Sequence, residues 1–344
     1  MRRFILSMFG LLFALSAYAA TDLTAEAVNA AQPTERSKGA KTIDPLTIKA
    51  QVLLDRAHFS PGEIDGKSGE NFQKAIRAFA AAQGMASDGS LTNEVWAKLS
   101  GLSADPVLRE YTITEQDLKG PFLNRVPSKL EEMKDLPALG YKSATEAIAE
   151  KFHMSEELLN ALNPGKKFNA AGEAVMVANV ALETSGKGSR IEVDKQAQTL
   201  KVLDGSGNLL AVFPATIGSE EKPAPSGSLR ITSIFKNPTY RYDPEYRFKG
   251  VKSRKPFTIQ PGPNNPVGTV WIGLSMKGYG IHGTPNPEKI SKTESHGCVR
   301  LTNWDAEKVS GMMQKGSPVV FLNGLSAGTA SIPASENPRG RKGR

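Results

Sequence analysis

The chain has 344 residues, 43 Lys and Arg against 35 Asp and Glu (formal net charge +8), four histidines and one cysteine. One cysteine excludes an internal disulfide framework, and this length exceeds one typical domain and can bury a sizeable core in two or three units. The positive balance overstates the folded surface. Arg2 and Arg3 sit in the first few residues, and Arg339, Arg341, Lys342 and Arg344 lie in a Pro- and Gly-interrupted tail.

Residues 1–19 read as a secretory signal. Arg2 and Arg3 give a positive start, residues 4–15 form an apolar run short for a bilayer span, and Ala17-Tyr18-Ala19 fits a small-x-small cleavage site. No second apolar run of spanning length follows, so the expectation is a periplasmic, wall-associated protein with no transmembrane segment after cleavage. Residues 20–44 lack clear periodicity and read as a linker.

A compact helical unit is expected over 45–100. Ile48, Val52 and Leu53 mark one amphipathic helix, Phe72, Ile76 and Phe79 a second, and Val95, Trp96 and Leu99 a third. The turn formers Pro61-Gly62, Asp65-Gly66 and Asp88-Gly89 separate them. This pattern resembles the small three-helix peptidoglycan-binding domain. His58 reads as a packing or loop residue, with no partner spaced for metal coordination.

Residues 135–180 hold two short helices, one from Tyr141 to Phe152 and one from Glu156 to the Asn163-Pro164 exit, followed by alternating Val175 and Val177. The stretch resembles a degenerate LysM-like α/β module whose first strand is poorly marked. His153, at the turn between the helices, reads as structural or solvated.

From Arg190 the pattern changes to strands. Ile191 and Val193, then Leu200 and Val202, alternate as a hairpin, and Asp204-Gly205-Ser206-Gly207-Asn208 turns the chain before Ala211-Val212-Phe213. Thr302-Asn303-Trp304-Asp305 opens a helix expected to reach about Lys315, followed by a Val-rich strand. Residues 324–344 read as a disordered basic tail, most simply a solubilising end, with no nucleic acid expected as a partner.

The chemistry concentrates around Cys298 in Ser295-His296-Gly297-Cys298-Val299-Arg300, downstream of Ile281-His282-Gly283-Thr284. A thiol attacks as its thiolate, and a free pKa of about 8.5 leaves little of it at neutral pH. An adjacent imidazole takes the proton, an arginine stabilises charge, and a glycine brings backbone amides close to a reacting carbonyl. His282 and His296 are both candidates for the base. No His-Glu-x-x-His, CxxC or phosphate loop occurs, so neither a metal nor an organic cofactor is expected.

These residues resemble the signature of the L,D-transpeptidase catalytic domain, the YkuD domain, a histidine followed by Ser/Thr-His-Gly-Cys and then Arg or Asn. The resemblance runs over 189–323 and includes Pro261-Gly262-Pro263-Asn264-Asn265-Pro266-Val267-Gly268 and Gly316-Ser317-Pro318-Val319-Val320-Phe321. It implies an α+β multidomain chain whose catalytic domain is a mainly antiparallel β-sandwich. It also implies Cys298 as nucleophile, His282 as base oriented by the Gly283 carbonyl, and His296 as an assisting group. Gly297 and Cys298 amides would form the oxyanion hole; Arg300, Ser295 and Tyr279 would contact substrate, with Trp271 better suited to core packing.

The implied substrates are peptidoglycan stem peptides. The thioester would pass to an amine of a second stem or of a protein such as an outer-membrane lipoprotein. Water in place of the amine would make the chain an L,D-carboxypeptidase or amidase. A catalytically inert wall-binding scaffold is the alternative from another class.

Overall fold

The computed structural model describes residues 23–33, 42–181, 186–220, 222–246, 251–295 and 297–322. The expected signal at 1–19, His296 and the tail at 324–344 lie outside the described residues. Among the described residues no helix is long and apolar enough to cross a membrane.

The N-terminal half contains α1 (Ala25–Ala30), α2 (Pro45–Arg56), α3 (Glu70–Ala82), α4 (Asn93–Ser100), β1 (Leu108–Thr112), α5 (Leu130–Met133), α6 (Ala144–Lys151), α7 (Glu156–Leu162) and β2 (Ala174–Ala178). Local chemistry starts the helices: Asp44, Thr92, Ser143 and Ser155 each accept a backbone N–H of the first turn of α2, α4, α6 and α7. Such caps satisfy donors that have no partner inside the helix. All nine apolar residues that define the three predicted helices are buried.

Two expectations change here. The 20–44 stretch read as a linker contains α1, capped by Thr24, with Val28 buried in the core and Asn29 Oδ1 accepting Val107 and Leu108 N–H at 2.8 and 3.0 Å. The first strand of the α/β module is β1, outside 135–180, pairing antiparallel with β2. Its burial explains why it escaped notice: Leu108 is inside while Arg109, Glu110 and Thr112 face water, so the strand carries almost no apolar alternation. Helices α1–α4, α6 and α7 and the β1–β2 unit share one hydrophobic core, from Val28 to Val180, joined by Val212 of the C-terminal half.

The C-terminal half contains β3 (Arg190–Asp194), β4 (Thr199–Leu203), β5 (Leu209–Pro214), β6 (Thr216–Ile217), β7 (Gly227–Lys236), β8 (Tyr240–Tyr242), β9 (Phe257–Ile259), β10 (Val270–Leu274), β11 (Gly280–His282), β12 (Val299–Arg300), α8 (Asn303–Met312) and β13 (Pro318–Leu322). The expected mainly antiparallel arrangement takes the form of nine strands in one continuous sheet, in the order β5-β4-β3-β13-β7-β10-β11-β12-β6. The pairs β3–β13 and β11–β12 are parallel. Long β7 joins the wings, its first residues pairing with β13 and the rest with β10. Buried residues of both wings and of α8 make a single cluster. Helix α8 ends at Met312, short of the expected Lys315, because Met313 is already extended and buried with Met312 against this cluster.

A buried polar junction ties the halves together. Lys308 Nζ of α8 lies 3.1 Å from both oxygens of Asp55 in α2, and His153 Nδ1 lies 2.9 Å from Asp55 Oδ2. The His153 ring stacks on Trp304 at 5.3 Å. Ser60 donates to Asp305 Oδ2 at 2.9 Å, and Phe59 bridges to Val212 of β5. A third small cluster, Met133, Leu139 and Ile259, packs the 123–139 stretch against the β8–β9 hairpin beside the site.

Candidate active site

The parallel pair β11–β12 builds the site. Ile281 stands opposite Val299 and His282 opposite Arg300, so Cys298, just before β12, comes level with Gly280, two residues before His282. The turn before the thiol needs glycine: Gly297 has φ +95°, and a Cβ there would come within 2.8 Å of the Tyr279 ring. Ser295 is buried and donates its hydroxyl to the Cys298 carbonyl at 2.6 Å, while its N–H reaches Gly218 O at 3.0 Å. The thiol therefore sits on a pinned turn.

His282 is buried and its Nδ1 lies 2.7 Å from Gly283 O. A carbonyl only accepts, so Nδ1 carries the proton and Nε2 keeps its lone pair. The ring stacks on Trp271, its cross-strand partner, at 5.6 Å and 20°. Burial, with the Arg300 charge adding to it, pushes the imidazole pKa down to about 3. Burial pushes the Cys298 thiol up, opposed by a Gly280 backbone hydrogen bond and by the Arg300 and Lys222 charges. Both directions favour a neutral thiol and a neutral imidazole at rest. The thiol also points its proton at Gly278 O, 3.8 Å away.

Arg300 is half-buried, and its buried Nε finds no acceptor among the described residues. An unpaired buried donor costs roughly 1–3 kcal/mol, a cost that an incoming acceptor removes. The cavity around these groups measures about 1090 Å³ and is lined by Cys298, His282, Arg300, Ser295, Trp271 and Gly278, among others. Its other charged lining groups are Lys129, Lys222, Lys236, Arg241 and Lys277 against Glu131 and Asp243. That excess of cations gives the cavity a net positive field.

Among the expected site residues, Cys298, His282, Ser295 and Arg300 converge on this cavity, and Gly283 and Gly297 shape it through backbone. Tyr279 packs on Gly297, and the neighbouring wall is Gly278. Trp271, expected in the core, lines the cleft instead because its ring turns onto His282. No geometry is described for His296. Sequence reasoning missed Asn303, which it placed only as part of a helix start. Its Oδ1 accepts Thr269 N–H at 3.1 Å and stands within 2.2 Å of where a Gly283 Cβ would be. Lys129 and Glu131 were also missed, since their approach to the cleft is purely tertiary. Among the described residues no cluster of His, Cys, Asp and Glu is arranged to hold a metal ion.

Residues 188–321 match the family model described as L,D-transpeptidase catalytic domain, and residues 44–99 match one described as "Putative peptidoglycan binding domain". Among curated proteins, the chain is 27% identical over 176 residues to "Putative L,D-transpeptidase YkuD" of Bacillus licheniformis, covering 51% of this chain and 90% of that one. The protein of that name in Bacillus subtilis is 26% identical over 176 residues, 51% of this chain and 91% of that one. Among solved structures, an L,D-transpeptidase of Enterococcus faecium is 20% identical with a TM-score of 0.30, covering 42% of this chain and 53% of that one. The chain thus spans about half of that structure's length.

Proposed function

We propose that the chain, an enzyme whose residues 188–321 match the L,D-transpeptidase catalytic domain, transfers acyl groups of peptidoglycan stem peptides through a thioester on Cys298. The observation that carries the reading is the Nδ1–Gly283 hydrogen bond, which leaves Nε2 of a buried, neutral His282 as the proton acceptor in the cavity that holds the thiol.

The residues then act in sequence. His282 Nε2 takes the thiol proton as Sγ attacks the carbonyl of the third stem residue, so the shift of electrons creates the C–S bond and a tetrahedral oxyanion together. Backbone amides of Gly297 and Cys298 are the proposed oxyanion donors, and Arg300 steadies the developing charge or a substrate carboxylate. As the C–N bond to the terminal D-Ala breaks, the imidazolium returns its proton to the leaving amine. An acceptor amine repeats the steps in reverse order, giving a 3→3 cross-link or a protein attachment. His296 is proposed to assist at the substrate. Residues 44–99 would tether the enzyme to the wall and raise the local concentration of stems. A periplasmic location, reached through the signal at 1–19, and a lipoprotein lysine as an acceptor belong to the same reading.

Mass spectrometry of muropeptides after incubating sacculi with pure protein tests it. New 3→3 dimers or protein-linked stems support transfer. Shortened stems without them indicate hydrolysis of the same thioester. Unchanged sacculi that retain bound protein would mark a wall-binding scaffold.

A further inference from the structure

His282 is held by Gly283, and Gly283 is in turn held by residues that come from both halves of the molecule. Asn303, the first residue of α8, is buried. Its Oδ1 accepts Thr269 N–H at 3.1 Å and fills the space beside Gly268 and Gly283, within 2.0 and 2.2 Å of where their Cβ atoms would lie. Gly268 has φ +64°, so the chain turns there only because no side chain intervenes. Asn303 Nδ2 donates to Pro263 O at 3.2 Å and to Glu150 Oε1 at 2.9 Å. Glu150 belongs to α6 of the N-terminal half and also accepts the Tyr141 hydroxyl at 3.3 Å. Beside it, Glu146 accepts from Asn264 Nδ2 at 3.2 Å, so the same helix grips the loop leading to Gly268 a second time.

We propose that Glu150 and Asn303 form a positioning relay through which the N-terminal half holds Gly283, and hence the His282 imidazole, in its reactive orientation. The relay rests on the reading of His282 as the base. Neither residue lines the cavity that holds the thiol. Asn303 Oδ1 holds Thr269 N–H, and the carbonyl of the next residue, Val270, accepts Gly283 N–H at 3.2 Å, so the α6 side chain reaches Gly283 through Asn303 and this strand entry; an amide side chain suits such a link because it donates and accepts at once. An imidazole displaced by about 1 Å loses up to 100-fold in rate, since proton transfer needs hydrogen-bond distance. The accessory half would then be a condition of catalysis as well as a tether. Burial pushes the Glu150 carboxyl up to about 8, which makes glutamine a near match for its neutral form.

The test uses the full-length protein and acylation by a carbapenem, followed by intact mass at pH 7 and pH 9, with histidine 15N resonances reporting the His282 tautomer. Glu150→Ala should slow acylation about 10- to 100-fold at pH 7, less at pH 9, where a larger fraction of the thiol is ionised without a base, and should broaden or shift the His282 signals. Glu150→Gln keeps an acceptor for Asn303 and should retain wild-type rates. Asn303→Asp removes the donor and should behave like Glu150→Ala; adding Glu150→Gln, whose amide can donate to the aspartate, should recover rate. Equal losses at both pH values, or no recovery in the double variant, would reduce the contact to general packing and overturn the relay. Unchanged rates and His282 signals in Glu150→Ala would overturn it too. If His282→Ala itself loses rate equally at pH 7 and pH 9, the base assignment fails, a result distinct from any failure of the relay.

Discussion

His153 and His282 have much in common and do different work. Both are buried, both have pKa values lowered mainly by burial, and each stacks on a tryptophan, Trp304 and Trp271. What separates them is what holds Nδ1 and what lies around the ring. His153 faces a carboxylate, Asp55, already paired with Lys308, inside the junction between the halves. His282 faces a main-chain carbonyl and borders a cavity shared with a thiol. Burial and a stacked indole therefore do not mark a reactive histidine. A neutral partner on one nitrogen and a cavity shared with a thiol are what set His282 apart.

The sharpest contrast comes from breaking each site. Cys298→Ala should abolish covalent labelling by a carbapenem while leaving the melting temperature nearly unchanged, because one half-buried sulfur contributes little packing. His282→Ala should slow acylation at pH 7 by roughly 10²–10⁴-fold, the usual worth of a positioned base, with a smaller loss at pH 9. Stopped-flow acylation reads both. At the other histidine, Asp55→Ala leaves Lys308 buried without its counter-charge and should cost about 3–5 kcal/mol of stability, read by urea unfolding. Acylation per folded molecule should hardly change. A large stability loss in Cys298→Ala, or a large rate loss with normal stability in Asp55→Ala, would erase the distinction.

The same two regions should differ in their response to pH. Lys308 and His153 hold the Asp55 carboxyl below its ordinary value against the opposing effect of burial. Its stabilising contribution is present above the unfolded carboxylate range and is lost as pH falls. Glu150 has the opposite sign, raised from 4.5 to about 8 mainly by burial. It contributes stability below about 4.5 that is lost as pH rises through 8. Calorimetry from pH 5 to 9 should show Glu150→Gln gaining on the wild type as pH rises. A constant difference across that window would mean that Glu150 ionises freely in the folded chain.

The residues of the proposed site were easy to single out in sequence because they are local. Ser295, Gly297, Cys298 and Arg300 fall in one short run, and His282 closes a strand within an Ile-His-Gly-Thr run that stands out among only four histidines. The helix faces of α2, α3 and α4 were legible for the same reason, since their period is written within a dozen residues. The single mixed sheet was not, because alternation reports which side of a strand is buried and not which neighbour it pairs with or in which direction. Strand β1 escaped through its charged outer face. The Asn303–Glu150 contact spans residues far apart in the chain, and neither residue type is unusual where it stands.

The central claim, a thioester on Cys298 formed with the help of a neutral His282, is tested most directly by trapping. The full-length protein is mixed with a disaccharide-tetrapeptide, quenched in acid within a turnover, digested, and searched by mass spectrometry for the acylated peptide. The account predicts an adduct on the Cys298 peptide equal to the substrate less D-Ala, absent in Cys298→Ala and discharged when an amine acceptor is added. Product formation by Cys298→Ala, or an adduct on any other residue, would contradict it.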